Sequence, residues 1–414
     1  MTTTDDQRTA QAVDDAGPDG ARVDQLVEAL LADVPPGSVD DRTFLGAQFD
    51  RGLAFVQFPE GTGGLGVSPG LQRRVTSRLA AAGAPFPNPA NIIGLGMVAP
   101  TLIVHGTDDQ RRRFLRPLFT CEEIWCQLFS EPGAGSDVAS LATRAVRDGD
   151  EWVVNGQKVW TTVAHLASFG LLIARTDPDL PKHQGITAFL VDMHGAGVEV
   201  RPLYQITGEA EFNEVFFTDA RIPDGQRLGG VGEGWRVSVT TLMNERVAIG
   251  GGVPRRGQGP IADAVALWRE RWQGNTSPHA MALRDRLLQA WTRSEVARLT
   301  NLRAAASRQI GTPGPEGSVA KLSFAEENKR TYELCVDLMG ADGMLHSSDY
   351  PKVRPNQVAI GTRDTHKAFL RARANSIEGG TSEVMRNILG ERVLGLPGEP
   401  RVDKGVAWKD VPRS

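Results

Sequence analysis

"FSEPGAGSDVAS", residues 129–140, marks the point where one texture of sequence gives way to another. Before it, from about Val23 to Thr120, apolar residues recur at helical spacing, as in "VDQLVEALLADV" and "DDQRRRFLRPLF". After it come evenly spaced β-rich runs, "EWVVNGQKVWTT", "GLLIA", "ITAFLV", "VEVRPL" and "NEVFFTDARI". Such spacing predicts a small β-barrel or sandwich. Asn155 and Gly156 both tolerate positive φ, so a two-residue hairpin is expected between strands ending at Val154 and resuming at Gln157. From Gly234 helical periodicity returns in four long segments, which predicts a C-terminal four-helix bundle. The expected fold class is α+β and multidomain: a flexible tail over 1–22, an N-terminal α-helical domain over 23–123, a β-domain over 124–230 and a helical bundle domain over 231–414. Within the quoted stretch, Gly133, Gly135 and Ser136 allow a sharp turn that exposes successive N–H groups. That suits an anion or the polar edge of a flat heterocycle, with a plain connecting loop as the alternative reading. Downstream, "GQKVWTT" sets Trp160 and Thr162 at the two-residue period of a strand, so a ring and a hydroxyl share one face.

Composition narrows the function classes. The 46 basic and 50 acidic residues leave a formal charge of −4 without long like-charge blocks, which argues against nucleic acid as a partner. Cys121, Cys126 and Cys335 form no CxxC pair and the seven histidines form no HExxH, so neither a disulfide framework nor a metal site is expected. The polar, acidic N-terminus does not read as a signal peptide and suggests a cytoplasmic protein. The apolar run "NIIGLGMVAPTLIVHG", residues 91–106, is broken by Pro100 and is shorter than the ~18 residues of a membrane span, so it reads as buried helix. "GTGGLG", residues 61–66, fits the dinucleotide fingerprint, but no Asp or Glu lies between Val67 and Thr107 to hold a ribose. These glycines are expected to form a turn between helices.

"SEPGAGSD" and "KVWTT", joined by "PEGTGGLG", "NEVFFTDARIPDGQRLGGVGEGW", "MNERVAIGGG", "GPEGSVAKL" and "GGTSEVMRNILGERVLGLP" in this order, make the chain resemble the acyl-CoA dehydrogenase family over nearly its whole length. The resemblance implies the acyl-CoA dehydrogenase fold and FAD held between the β-domain, the C-terminal domain and a neighbouring subunit. By that similarity Gln127, Phe129 and Ser130 line the flavin ring, and Trp160 and Thr162 close over its other side. Ser136 is similar to the residue shared between flavin and the CoA moiety, Gly340 belongs to the cofactor segment after a long helix, and Thr381, Ser382 and Glu383 resemble the segment that contacts the cofactor from the C-terminal loop.

The family reaction removes the proton α to a thioester carbonyl while a hydride leaves the β carbon. A very weak carbon acid of this kind requires one well-placed carboxylate as base. Medium-chain members carry it in a Glu-Gly-Thr segment, but Gly379 and Gly380 precede Thr381 here, so Glu378 stands one position too early. A one-residue shift displaces a side chain by more than proton transfer tolerates. A second pattern, similar to isovaleryl-CoA and long-chain dehydrogenases, puts the base on a bundle helix just before an arginine, and "MNERVAIGGG" offers Glu245 followed by Arg246. On a helix, Leu242, Glu245, Arg246 and Ile249 share one stripe, so Glu245 is expected as the catalytic base in apolar surroundings. The competing reading is a structural ion pair. Arg246 is expected near the active-site loop or CoA, and Gly379 beside the substrate.

Two positions depart from the family. The Arg-x-x-Phe-Gly motif that reaches a neighbouring subunit's FAD is degenerate in "RERWQG", residues 269–274, leaving Arg271 as a substitute, and Asp337 stands where a Gln is usual. The resemblance implies a homotetramer built as a dimer of dimers, and these departures leave room for a heterotetramer in which a related chain completes the cofactor site. Electrons are expected to pass to an electron-transferring flavoprotein. The alternatives are a non-catalytic partner subunit, or a flavin oxidase or monooxygenase on the same fold.

Overall fold

The computed structural model describes residues 17–250, 253–309, 315–345, 354–355 and 364–412; the expected tail over 1–16 and the side chain of Arg246 lie outside the described residues. The first helix, α1 (Pro18–Asp33), begins inside the stretch expected as tail, with Pro18 at a helix start where its missing N–H costs nothing and Asp19 beside the positive end of the helix. The helical unit continues through α2 (Asp41–Asp50), α3 (Gln72–Ala81), α4 (Ala99–His105) and α5 (Asp108–Phe119). Thr107 and Gln110 close a reciprocal capping box on α5. The glycines of residues 61–66 form the expected turn between α2 and α3. A Cβ on Gly64 would run into the carbonyl oxygens of Phe55 and Phe58, so the site holds a tight turn and has no room for a dinucleotide. The run at 91–106 is the expected buried helix, a π-turn over Gly94–Val98 leading into α4. No helix among the described residues is long and apolar enough to cross a membrane.

Eight strands follow: β1 (Trp125–Leu128), β2 (Arg144–Asp148), β3 (Glu151–Thr162), β4 (Phe169–Arg175), β5 (Ile186–Asp192), β6 (Val198–Pro202), β7 (Phe212–Pro223) and β8 (Arg227–Leu228). They form one sheet in the order β6-β7-β3-β2-β4-β5-β8, with β1 added parallel to β4. β4 and β5 are buried on both faces, and the two-residue period divides them cleanly. Leu171, Ile173, Ile186, Ala188 and Leu190 join the core shared with the helices, while Leu172, Ala174, Phe189 and Val191 fill the core inside the β-domain.

Asn155 and Gly156 do not make the expected hairpin. The turn lies six residues earlier at Gly149–Asp150, where Asp148 pairs with Glu151 and Gly149 has φ +62°. β3 runs straight through Asn155–Gly156 as a bulge against β7. Asn155 and Asp219 exchange side-chain and main-chain hydrogen bonds of 2.9 Å across it. Gly156 is needed because a Cβ there would lie 2.5 Å from Thr143 Oγ1.

The C-terminal domain contains α6 (Gly234–Gly250), α7 (Pro260–Arg271), α8 (Pro278–Gln309), α9 (Glu316–Met339), α10 (Thr365–Ala372) and α11 (Ser382–Ile388), the first four matching the predicted segments. Its core is built on Ile261, Leu283, Leu287, Leu334, Cys335 and Leu338. The chain then leaves α11 and returns across the β-domain, pairing Ala407 with Pro181. Gly156→Ala is expected to lower stability by roughly 2 kcal/mol in urea unfolding, through the Thr143 clash and a φ of +152° that L-residues rarely adopt.

Candidate active site

The stretch at 129–140 is fixed from beneath by a buried ion pair. Lys158, fully buried on β3, donates to Glu131 Oε1 at 2.8 Å and to the Phe129 carbonyl at 2.9 Å. Glu131 also accepts from the N–H groups of Ala142 (2.6 Å) and Thr143 (2.9 Å). Burial pushes the Lys158 ammonium down to about 8, opposed by Glu131. Burial pushes Glu131 upward, but Lys158 and the donors around it hold its carboxyl below the ordinary range. The neighbouring main-chain bond from Val159 N to Ser130 O, 2.9 Å, completes the attachment. Gln127 and Ser130 are left half-buried at the rim, while the Phe129 side chain turns into the core and offers only its backbone to the surface.

On the adjoining rim Trp160 is 56% exposed with φ +60°, at a second bulge between Lys158 and Thr161. Thr162 is half-buried and pairs with Phe212. The Trp160 ring meets Phe212 edge-on at 5.7 Å, leaving most of the indole uncovered. Phe212 in turn lies 5.7 Å from the guanidinium of Arg371 on α10. Arg371 is the link between domains. It grips Glu378 in a bidentate pair (3.0 and 2.8 Å) and approaches the buried Glu211 of the β-domain at 3.3 Å.

Glu378 therefore has both oxygens engaged, Oε1 accepting additionally from Asn375 Nδ2 at 2.7 Å. Gly379 and Gly380 follow with φ +62° and +90°, a double left-handed turn that glycine permits. Lys321 of α9, 3% exposed, holds this loop by donating to the carbonyls of Asn375 (2.7 Å) and Gly380 (3.1 Å). Burial lowers the Lys321 pKa, opposed by the charges of Glu378, Glu245 and Glu326. The two carboxylates considered as bases thus converge on one ammonium.

Glu245 lies half-buried on α6. The inward face of that helix is Gly234, Val237, Ser238 and Thr241, and Glu245 follows Thr241 by one turn. The surroundings are thereby less apolar than the expected stripe: Thr241 is hydrogen-bonded to Thr101 (3.0 Å) and Leu242 is only half-buried. Thr381 caps α11 by accepting from Val384 N. Ser382 is buried and donates to Glu326, whereas Glu383 is exposed and paired with Arg386. Ser136 is exposed and opens onto a cavity of about 440 Å³ that also reaches Asn387 near the end of α11 and Glu391 just beyond it. Gly340 stays apart. It ends α9 at the pole opposite Lys321, roughly 28 Å along the helix axis, so it does not join this site within one chain.

Arg371, Glu211, Lys321 and Lys158 escaped the sequence reading, because each acts through a partner far away in the chain. The one local clue was a lysine inside an otherwise strand-like run.

The chain matches the acyl-CoA dehydrogenase N-terminal domain over residues 33–122, the middle domain over 126–220 and the C-terminal domain over 232–394. The chain belongs to the acyl-CoA dehydrogenase family. It is 40% identical to the acyl-CoA dehydrogenase IpdE1 of Mycobacterium tuberculosis over 84% of this chain and 86% of that one. Among solved structures it is similar to the Tcur3481-Tcur3483 steroid ACAD, with a TM-score of 0.68 and 26% identity, covering 93% of this chain and 99% of that one. It is also similar to the ChsE4-ChsE5 complex from Mycobacterium tuberculosis, with a TM-score of 0.66 and 27% identity over 93% and 99% of the two chains. The family consists of flavoprotein oxidoreductases of lipid metabolism, and this acyl-CoA dehydrogenase is an enzyme of that class.

Lys158→Met is expected to cost roughly 3–5 kcal/mol by stranding buried Glu131, and the Lys158→Met/Glu131→Gln double variant less than the sum of the singles. A double-mutant cycle in chemical denaturation reads this, and strict additivity would contradict the coupling.

Proposed function

We propose that this acyl-CoA dehydrogenase binds FAD and desaturates an acyl-CoA thioester between its α and β carbons, with Glu245 as general base and an electron-transferring flavoprotein as electron acceptor. The observation that carries the assignment is the state of Glu378: both its oxygens are committed to Arg371 and Asn375, which makes it an anchor. Glu245 approaches the same loop from α6, close enough for its charge to act on Lys321.

The residues at the domain junction suit a flavin. The uncovered indole of Trp160 gives a stacking face, the Lys158-pinned loop carrying Gln127, Phe129 and Ser130 gives a fixed polar edge, and the cap of α11 at Thr381 gives donors on the C-terminal side. Bound FAD supplies the acceptor for the hydride that leaves the β carbon. The chain's own share is then positional and electrostatic. Glu245 receives the α proton on its carboxylate, and Lys321 holds the loop beside it through the Asn375 and Gly380 carbonyls. The left-handed turn at Gly379–Gly380 leaves backbone without side chains beside the thioester, where a Glu would otherwise intrude. Arg246, next to Glu245, is assigned to the CoA end. For the acyl group we propose a steroid-derived, ring-bearing class, supported by the likeness to the steroid ACAD.

A second reading, a subunit of a heteromer that shares its cofactor sites, is favoured by one observation. Arg271 is bound to the Met339 carbonyl (2.9 Å) and Asp342 (2.7 Å), and Asp337 is paired with Arg286 at 2.6 Å, so both groups at the cross-subunit position are engaged within the chain. The likeness to the ChsE4-ChsE5 complex is consistent with it. Gly340, at that same pole, would serve a neighbouring subunit's FAD.

Glu245→Gln is expected to keep FAD and acyl-CoA binding while slowing anaerobic flavin bleaching by at least about 10³-fold. Glu378→Gln should lower the melting temperature by a few degrees and leave bleaching near wild type. Bleaching that survives Glu245→Gln but is lost in Glu378→Gln reverses the assignment.

A further inference from the structure

We propose that the C-terminal segment over residues 401–410 is a strap that holds the Ser136–Ser140 turn in its cofactor-receiving shape, with Lys182, Arg175 and Trp408 as positioning residues. The proposal rests on the reading of that turn as part of the flavin site.

The turn has little support of its own. Ser136 and Asp137 are exposed, the adjoining Gly133 and Gly135 face open space, and regular structure is limited to one 3₁₀ turn, Val138–Ser140. Beyond the Asp137–Ser140 hydrogen bonds inside the turn, its fixed points come from outside. Arg175, fully buried at the end of β4, donates to the carbonyls of Ala139 (2.6 Å), Leu141 (3.3 Å) and Lys182 (2.7 Å). The Lys182 ammonium holds Asp137 at 2.8 Å. Both cations are completed by the strap. Trp408 lies over the Arg175 guanidinium at 4.7 Å, and its indole N–H reaches the Ser140 carbonyl at 3.2 Å. Asp403 takes Lys182 at 2.6 Å and is held in turn by Arg401.

The strap is itself anchored on the β4–β5 loop, through Trp408 N to Leu180 O (2.9 Å), Lys409 N to Pro178 O (3.0 Å) and the Lys409–Asp179 pair (2.5 Å). The result is two three-body contacts, turn to cation to strap, spaced along one five-residue turn. Removing the ring takes away the cation–π contact with the Arg175 guanidinium and the Trp408 N–H to Ser140 O bond together. Losing Trp408 therefore loosens Arg175 and, with it, the two carbonyls that define the turn. The cavity opened by Ser136 is closed on its other side by Gly398, Glu399 and Arg401, the entry to the strap, so the strap also bounds the space next to the turn.

Linkage makes the idea testable without turnover. If the strap favours FAD binding by some factor, FAD must favour the closed strap by the same factor. The full-length apoprotein is titrated with FAD by fluorescence quenching, alongside Trp408→Ala, Trp408→Phe, Asp403→Asn and a chain ending at Pro400. The expected result is a Kd for FAD at least tenfold higher in Trp408→Ala and in the truncated chain, a smaller rise in Asp403→Asn, and recovery of most of the affinity in Trp408→Phe, which keeps the ring over Arg175. Trypsin cleavage at Arg401 and Lys404 of the wild type should slow when FAD is added. Variants that melt earlier as apoproteins but bind FAD as the wild type does, with tryptic cleavage indifferent to FAD, would show a merely structural tail and overturn the strap alone. A wild-type chain that takes up no FAD overturns the reading in which one chain holds the flavin, and the strap with it.

Discussion

The Lys158–Glu131 pair is the constraint on which the rest of the site depends, because it ties the loop after β1 to the strand that carries Trp160. Neither partner is stable alone in the β-domain interior, where an uncompensated charge costs several kcal/mol. Together they saturate each other and the surrounding main chain: the ammonium takes the Phe129 carbonyl and the carboxylate takes two N–H groups. A hydrophobic pair of the same volume would fill the space, but it would not fix where those polar atoms point. The pair sets a geometry, which is what the flavin site proposed for this loop would require.

Arg371 does the corresponding work between domains. Its guanidinium meets Glu378 in its own domain, Glu211 in the β-domain and the face of Phe212, whose edge supports Trp160. A planar, always-charged fork can satisfy such divergent partners at once, where a lysine would have to choose. The same arrangement gives the Glu placed one position early in the loop a duty of its own, as the counter-ion of the half-buried Arg371. Proton abstraction asks for a carboxylate that can give up its charge, and ion pairing asks for the opposite, so the loop carboxylate Glu378, committed to Arg371, suits the second duty.

Much of this was legible in the sequence. Domain order, the four long bundle helices and the evenly spaced strands followed from period and length, and the glycine run at 61–66 was separated from a dinucleotide site by its missing acid. Asn155–Gly156 misled because the dipeptide fits a type I′ turn and a bulge equally well locally. The choice was made by β7, which pairs through Asn155–Asp219 from more than sixty positions away. Trp160 lies on β3 as expected, but on a backbone no propensity scale would assign, a positive φ at a bulge that interrupts the regular two-residue period read from Trp160 to Thr162. Lys321, Arg371 and Lys182 were invisible for a common reason: charged residues in helices and loops read as solvated surface unless the distant carbonyls or carboxylates that bury them are known.

The two poles of α9 carry the last step. At its N-terminal end Lys321 fixes the active-site loop of the same chain, and at its C-terminal end Gly340 stands too far away to touch it. The two poles are separated by about 28 Å, so Gly340 and the loop held by Lys321 do not meet at one site within a single chain. What that pole presents is the Arg271–Asp342 and Arg286–Asp337 pairs, in which each charge has been neutralised at home. A phosphate arriving from a neighbour would have to displace a carboxylate from one of these arginines, exchanging one ion pair for another at small net gain. A partner chain that brings its own free cation to the shared interface faces no such exchange. That difference in exchange is the physical ground on which a heteromer is proposed as the second reading.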